Sequence, residues 1–192
     1  LNYDKRNSKF QPTDGYISNW IQEIPVISDH ASIINGYTFT KYSELADNLV
    51  LSTGFYGRAV NSLSDEDVRI SKRLHVPSRR LRGFTTGKVG PKDGDDYVGG
   101  NYVATFNASS TVPYLLQTFE NTDLKVFFDA GNVWGVDYSS SVDDSNKLRS
   151  SSGIALEIFS PVGPLSFSYA EAITKASTDK TESFRFQLGT TF

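Results

Sequence analysis

No cysteine and no methionine occur anywhere in the 192 residues. The lack of cysteine excludes disulfide bonds and metal sites built from thiolates. The two histidines, His30 and His75, lie far apart in the sequence, which excludes a metal site made of several histidines within this chain. Because the chain begins at Leu1 and contains no methionine, we expect it to be a fragment or a processed product.

Excess positive charge and long hydrophobic runs are also missing. The net charge is −3, whereas binding of nucleic acid needs a concentrated basic face, so nucleic acid is not expected as a partner. No apolar run approaches the ~18 residues that a membrane-spanning helix requires. The strands of a transmembrane β-barrel need only short alternating segments, so a membrane is not excluded.

Alternation of apolar and polar residues is what the sequence does contain. In the last segment the apolar face comprises Phe184, Phe186, Leu188 and Phe192, and the polar face comprises Arg185, Gln187, Gly189 and Thr191. Similar alternation marks residues 124–130, 154–158 and 165–170, and it is less regular in residues 1–9, 16–24, 31–41, 48–58 and 98–110. These segments give about nine strand candidates without any helical apolar stripe, so they predict an all-β, antiparallel fold.

Two architectures fit this pattern. Tight-turn signatures occur at residues 12–15 and 161–164, and the long connections span residues 59–97 and 131–149. Long loops on one side, short turns on the other, aromatic apolar faces and small polar opposite faces are typical of a membrane barrel. A soluble β-sandwich also alternates, and the pattern alone leaves both open.

A set of ordered motifs resembles one family. Leu81, Arg82, Gly83 and Phe84 are similar to the loop motif of the β-barrel assembly insertases, the BamA-like family of bacteria and mitochondria. Further similar segments, in the same order as in the family, are residues 10–15, 98–101, 127–134, 152–156, 160–170 and 184–192. Loop lengths resemble the mitochondrial branch, the core subunit of the sorting and assembly machinery, more than the bacterial one.

The resemblance implies a membrane protein. Residues 1–192 would form the carboxyl-terminal half of a sixteen-stranded transmembrane barrel, with the loop of about residues 59–97 folded inward. Partners would be the lipid bilayer, unfolded β-barrel precursors, the amino-terminal half of the barrel and accessory subunits of an assembly complex. The implied location is the mitochondrial outer membrane, with the bacterial outer membrane as the alternative.

The resemblance also implies an anchor for the loop. Arg82 is expected to reach Asp129 on the inner wall, because a guanidinium matches a carboxylate with two parallel hydrogen bonds. Gly83 is expected to allow close backbone approach or a positive φ, and Phe84 to pack on an apolar patch of the wall.

Two residues complete the predicted anchor. Phe127 shares the inward face of its strand with Asp129. A second acidic partner of the family falls near Ser109 here, so the second acid is absent, and Asp129 would hold Arg82 either alone or together with hydroxyl groups. A hydrated lumen is expected to weaken the Arg82–Asp129 pair below the ~3–5 kcal/mol of a dry one.

The last strand is the predicted working part. Its exposed backbone would template an incoming strand at a lateral gate; the residues concerned are Phe184, Arg185, Phe186, Gln187, Leu188, Gly189 and Phe192. A passive or secretion-type channel with the same arginine loop, and a soluble β-sandwich binding module, are the alternative functions. No nucleophile–base pair, phosphate loop or paired-carboxylate site occurs, so neither enzyme activity nor a cofactor is expected.

Overall fold

Nine strands form one open antiparallel sheet in the computed structural model, which describes residues 1–25, 31–113, 121–139, 142, 146–160 and 163–188. Each strand of this sheet pairs with the next one along the chain. The strands are β1 (Asn2–Asp4), β2 (Gly15–Glu23), β3 (Ser32–Ala46), β4 (Leu49–Ser62), β7 (Tyr102–Thr111), β8 (Thr122–Trp134), β9 (Arg149–Ser160), β10 (Gly163–Thr174) and β11 (Phe184–Leu188). A separate hairpin of β5 (Lys92–Asp93) and β6 (Asp96–Tyr97) and two 3₁₀ turns, Ile70–Lys72 and Ser78–Arg80, lie between β4 and β7.

The prediction of an all-β antiparallel fold with nine strands is confirmed. Within the described residues, no helix is long and apolar enough to cross a membrane. The predicted strand at residues 98–110 was wrong at its start, because Gly99 has a φ of +70° and Gly100 forms a bridge with Leu74 instead of extending β7. The connection between β4 and β7, called the long loop below, therefore covers residues 63–101 rather than 59–97.

The two faces of the sheet differ in the way that the alternation predicts. On β8, Val126 and Phe128 are exposed on what we call the outer face, whereas Phe127 and Asp129 are buried on the inner face. Further exposed apolar side chains of the outer face are Trp20, Phe55, Phe106, Ile154, Tyr169, Phe184 and Phe186. A sheet whose exposed face carries aromatic and aliphatic side chains suits a lipid environment better than water.

The core lies between the long loop and the inner face. Loop side chains Val68, Leu74, Val76, Leu81, Phe84 and Val89 form one buried cluster with the sheet residues Ile34, Val60, Val103 and Val133. Full burial of each such side chain contributes about 1.5–3 kcal/mol. The loop is thus held on the sheet by an ordinary hydrophobic core, and this core places the polar contacts of the site.

The inner face is open at the end of the short turns. There a basin of about 870 Å³ is lined mostly by polar and charged residues, among them Arg6 from the β1–β2 connection and Glu44, Ser52 and Ser109 from strands. Lys125 and Glu157 form an ion pair of 2.6 Å across the basin wall. The loop therefore covers one part of the inner face and leaves the other part accessible to water.

Candidate functional site

Residues 80–84 of the long loop cross the inner face from β4 towards β11. At one end, the Arg80 guanidinium lies 5.6 Å from the ring centre of Tyr56 on β4. The Asn107 side chain on β7 donates to the carbonyl oxygen of Arg80 at 2.8 Å. The next residues of the loop meet the following strands in order.

Arg82 and Asp129 form the central contact, on β8. The Arg82 Nε–H and Nη2–H groups donate to the two carboxylate oxygens of Asp129 at 2.7 and 2.8 Å, and the Arg82 backbone N–H donates at 3.1 Å. Asn107 Nδ2 donates a fourth hydrogen bond, of 2.8 Å, to the same carboxylate. The Asp129 side chain is 0% exposed, so four donors compensate a carboxylate that has lost its water.

Two further contacts hold Arg82 in place. Its guanidinium carbon lies 3.4 Å from the ring centre of Phe127, a cation–π contact in which the flat guanidinium stacks on the ring. On the neighbouring strand β9, the Ser151 hydroxyl donates to the carbonyl oxygen of Arg82 at 2.5 Å. Arg82 is thus held by two strands: β8 binds its side chain and its backbone N–H, and β9 binds its carbonyl oxygen.

Gly83 lies close to the sheet where the loop passes β9 and β10. A Cβ atom at this position would lie 3.2 Å from the Ser151 Cβ on β9 and 3.3 Å from the Ala170 Cβ on β10. Its φ is +85°, in the left-handed region that favours glycine. Glycine at position 83 therefore permits both the close approach of the loop to β9 and β10 and the positive φ.

Phe84 completes the crossing at β11. Its side chain is buried in the core cluster, and its carbonyl oxygen accepts a hydrogen bond from Arg185 Nη2. Arg185 also donates through Nη1 to the Ser78 carbonyl oxygen at 2.6 Å, and Gln187 donates to the Ser78 hydroxyl at 3.2 Å. The inner side chains of the last strand therefore bind the loop.

A buried ion pair supports the far end of the loop. Arg149 and Asp179, both with side chains 0% exposed, are joined by two hydrogen bonds of 2.9 and 3.1 Å. Asp179 also accepts from the backbone N–H of Ala176 at 2.6 Å and, more weakly, from that of Gly90 in the loop at 3.4 Å. This pair connects β9, the β10–β11 connection and the loop.

A second ion pair, between Arg73 and Asp137, fixes the beginning of the loop. Burial would raise the pKa of the Asp137 carboxyl, but hydrogen bonds from the Val68 backbone N–H, the Asn101 side chain and Arg73 outweigh burial and lower this pKa. The Arg73 guanidinium also lies 4.7 Å from the ring centre of Tyr138. The charged form of Asp137 is therefore the form that the loop requires.

Ser109 does not lie at the position predicted for it, opposite the loop anchor. Ser109 pairs with Phe127 and its hydroxyl bonds Ser52, whereas Asn107 is the residue opposite Asp129. Asn107, two residues earlier on the same face, instead donates to the Asp129 carboxylate and to the Arg80 carbonyl oxygen.

Other features were missed or cannot be placed. Residues 189 and 192 of the predicted working strand lie outside the described residues. The contacts of Ser151, Arg149 and Asp179 with the loop region carried no sequence signal, since they depend on which strands lie side by side. The expectation that water weakens the central ion pair was wrong for Asp129, whose side chain is completely buried.

Comparison with known proteins agrees with this geometry. The Omp85 superfamily domain matches residues 1–192. The outer membrane protein assembly factor BamA of Neisseria meningitidis is 35% identical over 139 residues, which cover 58% of this chain and 17% of that protein. BamA of Nitratidesulfovibrio vulgaris is 28% identical over 192 residues, covering 96% of this chain and 24% of that protein. The chain therefore spans at most about a quarter of these relatives' length.

A solved structure shares the fold. The crystal structure of Haemophilus ducreyi BamA lacking POTRA domains 1–3 matches with a TM-score of 0.86 and 30% identity, over 96% of this chain and 40% of that one. The nine-stranded sheet corresponds to the carboxyl-terminal half of that barrel. With its full-length domain match, its sheet and its inward arginine loop, this chain belongs to the Omp85 superfamily and is similar to the BamA proteins within it.

Proposed function

We propose that this chain is the carboxyl-terminal barrel part of an outer-membrane insertase that folds and inserts β-barrel precursors. The observation that carries the proposal is the attachment of the long loop to β11, the strand at the end of the sheet, through Arg185 and Gln187. Similarity to outer membrane protein assembly factors supports the same activity. In this proposal the partners are the lipid bilayer, unfolded barrel precursors and other subunits of an assembly complex.

The backbone groups on the free edge of β11 are placed to pair with an added strand. β11 pairs only with β10 among the strands that the structure describes. The backbone N–H of Ala170 donates to the carbonyl oxygen of Ser183, so Ser183 points to β10 and alternate residues of β11 point to the opposite side. Phe184, Phe186 and Leu188 thus offer backbone groups to an incoming strand, while their side chains face outward.

This mechanism needs no cofactor or nucleotide. The free energy would come from folding of the precursor, which exchanges unsatisfied backbone groups in the membrane, each costing several kcal/mol, for paired ones. The loop would hold β11 from its inner face and leave its edge free. A lateral gate at β11 is accordingly part of the proposal.

The proposed location is the outer membrane of a bacterium, because the similar proteins named above are bacterial. The expected mitochondrial location, in the sorting and assembly machinery, has no support from these relatives and stays a prediction. Fractionation of the source cells, with markers for each membrane, decides between the two.

Depletion of the full-length protein in its source organism tests the function. We expect the levels of several unrelated outer-membrane barrel proteins to fall, and a plasmid copy of the wild-type sequence to restore them. If these levels stay constant while small-solute permeability of the membrane changes, the protein is a channel and the proposal is refuted.

A further inference from the structure

Two lysines flank a tyrosine near the short turns, and we call these three residues the lysine row. Lys5 directly follows β1, and its backbone N–H donates to the carbonyl oxygen of Tyr16 on β2 at 2.8 Å, in continuation of the β1–β2 register. On the other side of β2, Tyr16 is paired with Lys41 on β3. The two lysines are therefore separated by two strand spacings, about 10 Å between their Cα atoms.

Ring contacts and register place Tyr16 and Lys41 on the outer face. The ring centre of Tyr16 lies 5.8 Å from that of Phe39 on β3. Phe39 is paired with Phe55, one of the exposed apolar residues of the outer face. Lys41 follows Phe39 by two residues on the same strand, so it shares this face.

Lys5 lies on the same face. Its ammonium nitrogen lies 5.3 Å from the ring centre of Tyr3 on β1. The ring of Tyr3 in turn lies 5.9 Å from that of Tyr16. Since Lys5 and Lys41 are both exposed, the lysine row presents two ammonium groups to the surroundings of the outer face.

Neither lysine forms an ion pair within the part of the chain that the structure describes. Two acids near them in the sequence belong to the inner face, where Asp4 binds Arg6 at 2.8 Å and Glu44 lines the basin. Asp14, in the β1–β2 connection, is exposed and is not paired with either lysine. Among the described strand residues of the outer face, the only acid is Glu171 on β10, five strands from β3. The countercharge of the lysine row must come from outside this sheet.

The surface around Lys41 is apolar on both sides. Phe39 lies toward the long loop, and Leu51, on the outer face of β4, lies toward the short turns. A cation on a lipid-facing surface is costly away from the headgroups, and such cations are paired with a counter-charge. Lys5 stands where β1 ends, so the lysine row reaches the margin of the sheet there. A lipid headgroup at this margin lies within reach of both ammonium groups.

We propose that the lysine row binds the headgroup phosphate of an anionic phospholipid. The phosphate lies between the ammonium groups of Lys5 and Lys41, which both donate to it, and the Tyr16 hydroxyl donates a third hydrogen bond. The acyl chains extend along Phe39 toward the middle of the membrane. Because the short turns of a bacterial outer-membrane barrel face the periplasm, the lipid belongs to the periplasmic leaflet.

The charge of the headgroup decides which phospholipid binds. A zwitterionic headgroup brings its own ammonium group close to the two lysines, and like charges repel. An anionic headgroup such as phosphatidylglycerol carries no such group. The site requires that the sheet spans a membrane, and it is independent of the proposed insertion of precursors.

Lipid titration of the full-length protein in detergent, followed by native mass spectrometry, tests the site. The probes are phosphatidylglycerol and phosphatidylcholine with identical acyl chains. A lysine near an anionic membrane surface contributes about fivefold in affinity, so we expect the first phosphatidylglycerol to bind at least about tenfold more tightly than the first phosphatidylcholine. The Lys5→Gln/Lys41→Gln variant should reduce this preference to within about twofold, and Lys5→Arg/Lys41→Arg should retain it.

A matched control removes two charges elsewhere. Lys147 and Lys175 are exposed at the end of the sheet that carries the long loop. The Lys147→Gln/Lys175→Gln variant should keep the wild-type preference within about twofold. Lys41→Gln alone should lower the preference about fivefold, and it supports the test where the double variant of the lysine row does not fold.

Three outcomes overturn the site. Equal affinity of the wild type for both lipids excludes a preference for anionic headgroups, and a Lys5→Gln/Lys41→Gln variant with the wild-type preference excludes the lysine row as its cause. Displacement of phosphatidylglycerol by excess inorganic phosphate shows a site for free anions and overturns the lipid assignment. None of these results bears on precursor insertion at β11, which depletion of the protein tests separately.

Discussion

Substitution of Arg82 by alanine is the sharpest test of the loop anchor. The wild-type Asp129 carboxylate accepts four hydrogen bonds and is 0% exposed. Arg82→Ala removes the two bonds from the guanidinium and leaves those from Asn107 and from the residue 82 backbone. A buried carboxylate then remains without a directly bonded counter-charge.

The expected cost follows from this burial. Breaking a buried ion pair by removing one partner costs about 3–5 kcal/mol, since the remaining charge is uncompensated. Loss of the stacking of Arg82 on Phe127 adds to this cost. Because every 1.4 kcal/mol is tenfold in an equilibrium constant, the population of the released loop should rise at least about a hundredfold.

Limited proteolysis of the full-length protein in lipid vesicles measures that population. When opening is fast relative to cleavage, the cleavage rate follows the fraction of open molecules. A protease that does not cleave at arginine is needed, so that the substitution removes no cleavage site. Arg79→Ala is the matched control, because Arg79 lies in the same segment but is exposed, and its cleavage rate should stay within about twofold of the wild type.

A double-mutant cycle with Asp129→Ala separates the ion pair from other effects. The double variant lacks both charges, so its cost should be smaller than the sum of the two single costs by at least about 1 kcal/mol. Additive costs, or an Arg82→Ala variant that is cleaved as slowly as Arg79→Ala, would refute the argument that this pair holds the loop.

Two further predictions concern the loop backbone and its acidic anchor. Gly83→Ala should destabilise the loop by about 1–3 kcal/mol more than Gly87→Ala, although both glycines have a positive φ. The reason is that a Cβ at residue 83 meets Ser151 and Ala170, whereas a Cβ at residue 87 meets nothing within 4 Å. Thermal unfolding of the two variants measures the difference. Folding lowers the pKa of Asp137 below its ordinary 3.8, so the stability that its charged form contributes is present above about pH 4 and is lost as the pH falls through the folded pKa. Pepsin nicking of the loop should accordingly increase at acid pH, and an Asp137→Asn variant that shows the same pH profile as the wild type would contradict this assignment.

Strand identity could be predicted from the sequence because it depends on a local pattern. On β8 and β11, alternation of side chains between a lipid-like and a polar surface assigned both faces correctly. The start of β7 was mispredicted, since Val98 to Asn101 read as part of a strand while the backbone at Gly99 turns to pair with Leu74. The local alternation of residue types contains no information about such a long-range bridge.

The candidate site was predictable only where a motif identified it. The sequence led to Arg82 and Asp129, which the structure brings together through two guanidinium bonds. Asn107, which lies opposite Asp129, was not predicted; the position predicted for a second partner was Ser109, two residues further along β7. The contacts of Ser151 and Arg185 with the loop were also missed, because the path of the loop across the sheet is a tertiary property that no spacing in the sequence encodes.

The ordered crossing of residues 80–84 restricts where insertions and deletions can occur. Arg80, Arg82, Gly83 and Phe84 meet residues at fixed positions on β7, β8, β9, β10 and β11. One residue added within any of these strands would reverse its two faces, and two residues would move its contact by about 6.6 Å. Insertions and deletions in the connections between strands therefore leave the site intact. Insertions or deletions between a contact residue and the turn that sets the register of its strand do not.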